Sequence, residues 1–575
     1  MIDLELGNYR KNAELLLEGL WYAELPDLLD IKELIAGIDS VFDELNNKNV
    51  REFKQEADGF VTNWKHIVSP PYIRTPGVEA VSFFDFKKNK SLREMQIPHL
   101  LHYISFMYNT LLEFSSLFET LYVEPDNAHF VKNSNSYLVF EDTFLLHTYD
   151  GEDKWSLEGV FTTKNNKINS SAILNENKKR LLAAEADYLY LLKLDIESFF
   201  PNLYTHNFEK MAQKPPFSVI GVDDRYFYFL DRFHQRINNN QTKGIPAGTF
   251  SSHIAAELCM LAVDEEIRGF LQSRPNSIGY VRYVDDLTFF SDSESELTAL
   301  YPEIQTILNQ YRLRINGNKT ETIHSIYSTQ PSYLLELEQE FPKLKEPEGT
   351  HVFSLPDFFA LKKYIGDCLR QGRSSQIRTL LSLLLRRIQK GVLNIDEICD
   401  EVYYLLLKLV FEDVTLVSHV YRLMDMLLSK AADADSLLEA LRRKQKKVDT
   451  EYPDTILQIW HYYVLFKYSS DEKKATIISS FLGKRCNPLV AAVMVVYGEG
   501  KNQELFNLIR DHYIQEAGNS QWKEEIMYSK WWLPLFKIAR YDSYNYDEFV
   551  QSSDFPQILR KFPMHLDENE DVDVD

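Results

Sequence analysis

Residues 280–292 read YVRYVDDLTFFSD, and two adjacent aspartates, Asp285 and Asp286, stand there among β-branched, aromatic and other apolar neighbours. Strand interiors disfavour Asp and neighbouring carboxylates repel, so the pair needs a reason. A polar hairpin tip is the bland one, since Asp is common in turns. A third carboxylate offers a sharper one: Asp195 ends the apolar run DYLYLLKLD at 187–195. If that strand lies beside the 280–290 hairpin in one antiparallel sheet, three carboxylates converge at one edge. They repel strongly there unless divalent cations sit among them. Such oxygen ligands suit Mg²⁺, which takes one or two carboxylates together with substrate phosphates. Two of these ions, roughly 4 Å apart, stabilise the attacking and leaving oxygens of a phosphoryl transfer. Neither segment has the ligand spacing of an EF-hand calcium loop.

The elements that must position these carboxylates are legible around them. DYLYLLKLD reads as a strand, and SSHIAAELCMLAVDEEIRGFL (251–271) as a helix opening with Ser caps. IGYVRYVDDLTFFS (278–291) reads as two short strands around the aspartates, and ESELTALYPEIQTILNQY (294–311) as another helix. LRINGNKTETIHS (313–325) then turns on Asn-Gly into a further strand. Upstream, residues 10–46 carry helical periodicity. Between 60 and 180 lies a local basic excess: Lys87, Lys88, Lys90 and Arg93, then Lys164, Lys167, Lys178, Lys179 and Arg180. A solvated surface is the default reading of such clusters, and a phosphate groove the sharper one. From about 356 helical patterns follow one another, with only Pro453, Pro488 and Pro534 between 357 and 550. Successive helix pairs without a strict period suggest a solenoid-like stack.

The chain has 575 residues, which fits about two to four domains. Its formal charge of −22 argues against non-specific coating of nucleic acid, while leaving room for a locally basic cleft. Cys259, Cys368, Cys399 and Cys486 are far apart, with no CxxC, so neither a zinc site nor a disulfide framework is indicated and a reducing cytoplasm fits. The start lacks the basic-then-apolar order of a signal peptide. PLVAAVMVVY (488–497) is about half the length needed to span a bilayer and reads as a buried helix. His206 in LYTHNF reads as a packed or helix-capping histidine, and LRRKQKK (441–447) as a solvated helix face. No P-loop, RNase H or integrase constellation is visible.

The aspartate spacing is that of a polymerase palm, and the flanking residues carry the likeness further. YVDD after an apolar strand resembles the core motif of reverse transcriptases, and LKLDIESFFPNLYTH resembles their first palm motif. GIPAGTFSSHIAAE (244–257), LRINGNKTE and LREMQIPHLLHY (92–103) resemble three more, in the expected order. With a helical C-terminal half, the chain looks like the bacterial abortive-infection reverse transcriptases, part of the defence-associated group. The motifs cover about residues 90–325.

That resemblance implies an α+β fold: a palm and fingers followed by an all-α, HEAT-like repeat domain in place of the usual thumb. The expected boundaries are a helical extension (1–59), fingers (60–186), palm (187–350), helical repeats (351–560) and an acidic tail (561–575). It implies Asp195, Asp285 and Asp286 as catalytic residues, with Ile196 completing the metal set for Mg²⁺ or Mn²⁺. Arg93, Phe199, Phe200, Pro246, Gly248 and Lys319 are the implied nucleotide contacts, Phe200 screening the sugar 2′ carbon and Lys319 lying near the leaving pyrophosphate. Two positions depart from the pattern. Pro246-Ala247-Gly248 lacks the glutamine common at its centre, and His102-Tyr103 stands where many bacterial relatives carry Asp-Arg. Both departures remove polar groups that position template or nucleotide. The implied activity is DNA synthesis from dNTPs in a bacterial cytoplasm, by a homo-oligomer without membrane attachment. A protein hydroxyl would start the strand without template, leaving single-stranded DNA attached to a tyrosine. Template copying of the retron kind and a non-catalytic nucleic-acid scaffold are the rivals.

Overall fold

The computed structural model describes residues 13, 16–28, 34–38, 79–118, 120–121, 125–134, 181–274, 278–327, 333–344, 349–431, 433–481, 487–498 and 530–534. The basic residues at 164–180, Cys486 and the acidic tail lie outside the described residues.

Two strands, β1 (Val81–Phe86) and β2 (Leu92–Ile97), form an antiparallel hairpin with Asp85 opposite Arg93. Helix α1 (Leu100–Tyr108) follows. The central sheet has four strands in the order β4-β5-β3-β6, all antiparallel: β3 (Tyr190–Asp195), β4 (Gly279–Tyr283), β5 (Asp286–Ser291) and β6 (Glu321–His324). Helices α2 (Arg225–Ile237), α3 (Phe250–Gln272) and α4 (Glu294–Gln310) accompany it, and α4 packs on β3 and β5.

The sequence accounts for these elements locally. Leu191, Leu192 and Leu194 of β3 and residues 287–291 of β5 are buried, so the sheet is covered where its strands are most apolar. The first two-thirds of α3 is buried nearly all round, as expected of a helix with apolar residues on every side. Its cap differs from expectation. Thr249, in an extended conformation, precedes the helix, and Ser251 and Ser252 lie inside its first turn with hydroxyls bonded to Thr249 Oγ1. Ser293 does cap α4, accepting from the Glu296 N–H.

The C-terminal half is helical throughout its main elements: α5 (Leu355–Arg370), α6 (Ser374–Gln389), α7 (Cys399–Glu412), α8 (Val417–Lys430), α9 (Ala434–Arg442), α10 (Ile456–Tyr468), α11 (Asp471–Phe481) and α12 (Pro488–Gly498). A capping box of Ser354 and Asp357 starts α5. The helices pack on their next or next-but-one neighbours: α5 on α6, α6 on α8, α7 on α8, α8 on α10, and α10 on α12. The PLVAAVMVVY run is α12, buried over residues 488–495. Among the described residues no helix is long and apolar enough to cross a membrane.

Two features join the halves. The β1–β2 hairpin rests on the helical half: Phe84 N–H donates to the Asp454 carbonyl at 2.9 Å, Lys90 Nζ to Glu412 at 2.9 Å, and Asn487 Nδ2 to Ser82 at 3.1 Å. The N-terminal segment, residues 16–28, threads between them. Tyr103 donates to the Leu16 carbonyl, Phe250 N–H to Gly19, Trp460 Nε1 to Glu24, and Arg422 to Ala23.

Candidate active site

Strand pairing brings Asp195 opposite Asp286 across β3 and β5, and Asp286 is in turn paired with Tyr283 of β4. Val284 and Asp285 therefore form the two-residue loop of the β4–β5 hairpin. Val284 has φ +55°, while Asp285 does not have positive φ. A positive φ at the first loop position alone is the type II′ pattern, which favours Gly there. The Asp285 carbonyl accepts from Ile196 N–H at 3.3 Å, so the residue after Asp195 is tied to the hairpin tip.

Lys319, in the turn before β6, donates from Nζ to Asp195 Oδ1 at 2.6 Å, and Asn316 Nδ2 donates to Asp195 Oδ2 at 3.1 Å. Burial, and then the Asp286 carboxylate, pushes the Asp285 carboxyl up to about 6, with Asp195 adding to the rise. Asp286 is also raised, by burial and then by Asp195. The bond to Asp195 holds the Lys319 ammonium above its ordinary range. Carboxylates crowded at one edge raise one another in this way, and a divalent cation relieves the crowding. The donors are all hard oxygens, so the residues present fit Mg²⁺ or Mn²⁺.

The other expected residues divide. Arg93 is exposed on β2, opposite Asp85, whose carboxyl burial raises. Phe200 is half-buried, edge-on to Phe199 at 5.3 Å and to His253 at 5.4 Å. Phe199 is 2% exposed and packs in the core. Pro246 is buried, and Gly248 is exposed with φ +90°. A Cβ on Gly248 would lie 2.6 Å from the Tyr22 ring. Lys319 is paired with Asp195. His102 and Tyr103 are both fully buried in α1.

Several residues near the site escaped the sequence. The Tyr22 hydroxyl shares its one proton between the carbonyls of Ala247 and Gln96, joining the Pro-Ala-Gly loop to β2. Arg282 is fully buried with Glu257 and Asp264. Alternation along β4 could have shown that Arg282 shares the inner face with Tyr280, and Glu257 and Asp264 are seven apart on an otherwise apolar helix face. Apart from the three aspartates, His206, Glu209 and Asp231 offer ligand atoms within 4.8 Å of one another, a closer grouping than the aspartates adopt. Asp231 already accepts from both His206 and Gln235, so its carboxylate is satisfied by hydrogen bonds. In LRRKQKK, Arg442 pairs with Glu439, and Lys444 and Lys447 lie over the Phe411 ring.

Residues 156–350 match the family model for reverse transcriptase (RNA-dependent DNA polymerase). Retron Ec83 reverse transcriptase of Escherichia coli is 29% identical over 137 residues, 23% of this chain and 42% of that protein. The match thus spans less than half the length of that relative. Among solved structures, telomerase from Candida albicans with a telomeric RNA fragment aligns with 70% of this chain and 69% of its own, at 14% identity and a TM-score of 0.29. Apo telomerase from Candida tropicalis aligns with 72% of each chain, at 11% identity and 0.31.

Proposed function

We propose that the chain is a reverse-transcriptase-like DNA polymerase of antiphage defence, joining dNTPs without a template and starting from a tyrosine of its own. The observation that carries the polymerase reading is the meeting of Asp195, Asp285 and Asp286 at one edge of the central sheet. The reverse transcriptase match and the retron relative support the same chemistry. Bound Mg²⁺ would neutralise the triphosphate and lower the pKa of the attacking hydroxyl. Asp195, Asp285 and Asp286, with the Ile196 main chain, would hold it. In each addition the attacking oxygen forms a bond to the α-phosphorus as the bond to pyrophosphate breaks, and the hydroxyl proton passes to solvent. Lys319 would leave Asp195 as metal arrives and meet the departing pyrophosphate, while Arg93 binds the triphosphate. Phe200 would exclude a 2′-hydroxyl.

The untemplated part is supported by Ala247, which replaces a polar nucleotide contact, and by Tyr22, whose ring and hydroxyl fill the space over Gly248 and Ala247. The acidic charge points the same way, since such a protein holds duplex poorly unless a basic groove compensates. The retron relative favours a second reading, template copying. One experiment separates them: purified protein, Mg²⁺ and labelled dNTPs, with and without template, fully denatured and run on a gel before and after protease. Label retained by protein without template and freed by protease supports the proposal. Label that runs freely before digestion, or that needs template, refutes it. In cells, protection against phage should vanish with Asp285→Asn.

A further inference from the structure

We propose that Arg282 is a positioning residue for the paired aspartates: anchored on Glu257 and Asp264, its guanidinium holds the Val284 carbonyl and so fixes the turn that presents Asp285 and Asp286. The proposal rests on the reading of those aspartates as the metal site.

Every N–H of the guanidinium has an acceptor. Nε donates to both oxygens of Asp264 at 3.0 Å, and Nη2 to Asp264 Oδ2 at 2.8 Å and Glu257 Oε1 at 3.1 Å. Nη1 donates to Glu257 Oε2 at 2.9 Å and to the Val284 carbonyl at 3.2 Å. Arg282 is 0% exposed, Glu257 4% and Asp264 2%. Burial opposes the charge of Arg282, but the two carboxylates hold its pKa well above the ordinary value. The anchors sit on α3, which is rigid by burial, and Tyr280 fixes Asp264 further by donating to Oδ1 at 2.6 Å. The main chain of Arg282 is pinned too, its N–H donating to the Asn133 carbonyl at 2.8 Å.

The turn needs such a hold. Val284 is β-branched and sits at φ +55°, where such a residue is a genuine outlier that persists only when its surroundings impose it. Relaxing to negative φ would rotate the peptide that leads into Asp285 and carry its carboxylate off the sheet edge. The bond from Nη1 acts on that peptide's own carbonyl. Five donors spread over three nitrogens reach both oxygens of each carboxylate and a carbonyl at once, whereas a lysine brings three donors on a single nitrogen.

The test uses the full chain. Arg282→Lys keeps the buried charge and should lower Mn²⁺ affinity at least tenfold, with kcat falling similarly and KM for dNTP little changed. Glycine bears φ > 0 without strain. Adding Val284→Gly to Arg282→Lys should therefore recover most of the Mn²⁺ affinity while the melting temperature stays low. If Arg282→Lys fails to fold, the combination Arg282→Met, Glu257→Gln and Asp264→Asn replaces the ion cluster with neutral groups of similar volume and should show the same loss. Wild-type Mn²⁺ affinity in a folded Arg282 variant overturns the proposal, as does recovery of stability and affinity together. Mn²⁺ binding is read without nucleotide, so a wild-type chain that binds metal but incorporates nothing fails the polymerase reading alone. Binding that Asp285→Asn leaves unchanged overturns both.

Discussion

At the scale of single residues, the three aspartates differ in how much the fold asks of them. Asp285 is raised to about 6, mainly by burial and then by Asp286. A folded pKa above the unfolded value means that this group favours folding when protonated. In the metal-free chain its contribution is present below about pH 4 and lost as pH rises through about 6. Metal binding runs the other way, because the proton must leave: Mg²⁺ affinity should climb to about pH 6–7 and then level. Melting temperatures with chelator and metal titrations across pH check both, and Asp285→Asn should weaken both dependences, with Asp286 supplying what remains. The same substitution changes volume little, so folding should survive while incorporation disappears; undiminished incorporation would place the metal elsewhere. Phe200 is half-buried, edge-on to Phe199 and His253. Phe200→Ala should raise ribonucleotide use relative to deoxynucleotide use, and an unchanged ratio in competition assays would leave Phe200 as packing only.

At the scale of elements, the junction of the Pro-Ala-Gly loop, β2 and the N-terminal segment hangs on one hydroxyl. Tyr22→Phe leaves the Gln96 and Ala247 carbonyls without that donor and should cost about 1–3 kcal/mol in denaturant unfolding. Gly248→Ala should cost a similar amount, roughly 1–3 kcal/mol, through positive φ and the Tyr22 ring beside it. A change below about 0.5 kcal/mol in both would mean the junction yields freely. How legible such features are in sequence depends on what carries them. The β3 and β4–β5 strands announce themselves by apolar runs beside Asp, and α5–α8 by 3.6-residue periodicity, so the central sheet and the helical half could be read off. Tyr22 could not, because its partners are main-chain carbonyls 74 and 225 residues away, and backbone oxygens leave no trace in residue type. The two serines opening α3 looked like caps because Ser favours that position. Tertiary burial placed them inside the helix and left the cap position to Thr249. Phe199 and Phe200 are indistinguishable as letters, but as adjacent positions of the short helix Phe199–Asn202 they point about 100° apart, which buries one and leaves the other half-exposed.

At the scale of the whole molecule, the helical half supports the hairpin that carries Arg93, through Asp454, Glu412 and Asn487. A chain ending near residue 350 would lose those contacts and uncover the apolar faces they protect. It should be insoluble or inactive in incorporation assays, and a soluble, fully active fragment would refute this role for the helices. The bond from Trp460 to the Glu24 carbonyl has a further consequence, because 436 residues separate its ends. Ribosomes add about 5–20 residues per second, so the N-terminal segment must wait roughly 20–90 s after emerging before α10 is made. During that interval the Ala23 and Glu24 carbonyls lack Arg422 and Trp460, so the segment that carries Leu16, Leu17, Leu20 and Leu25, all buried in the finished protein, has no anchor on the helical half. Nascent chains arrested before residue 460 should therefore be cut within residues 16–28 by added protease and should recruit holdase chaperones there, whereas the released protein should resist at the same bonds.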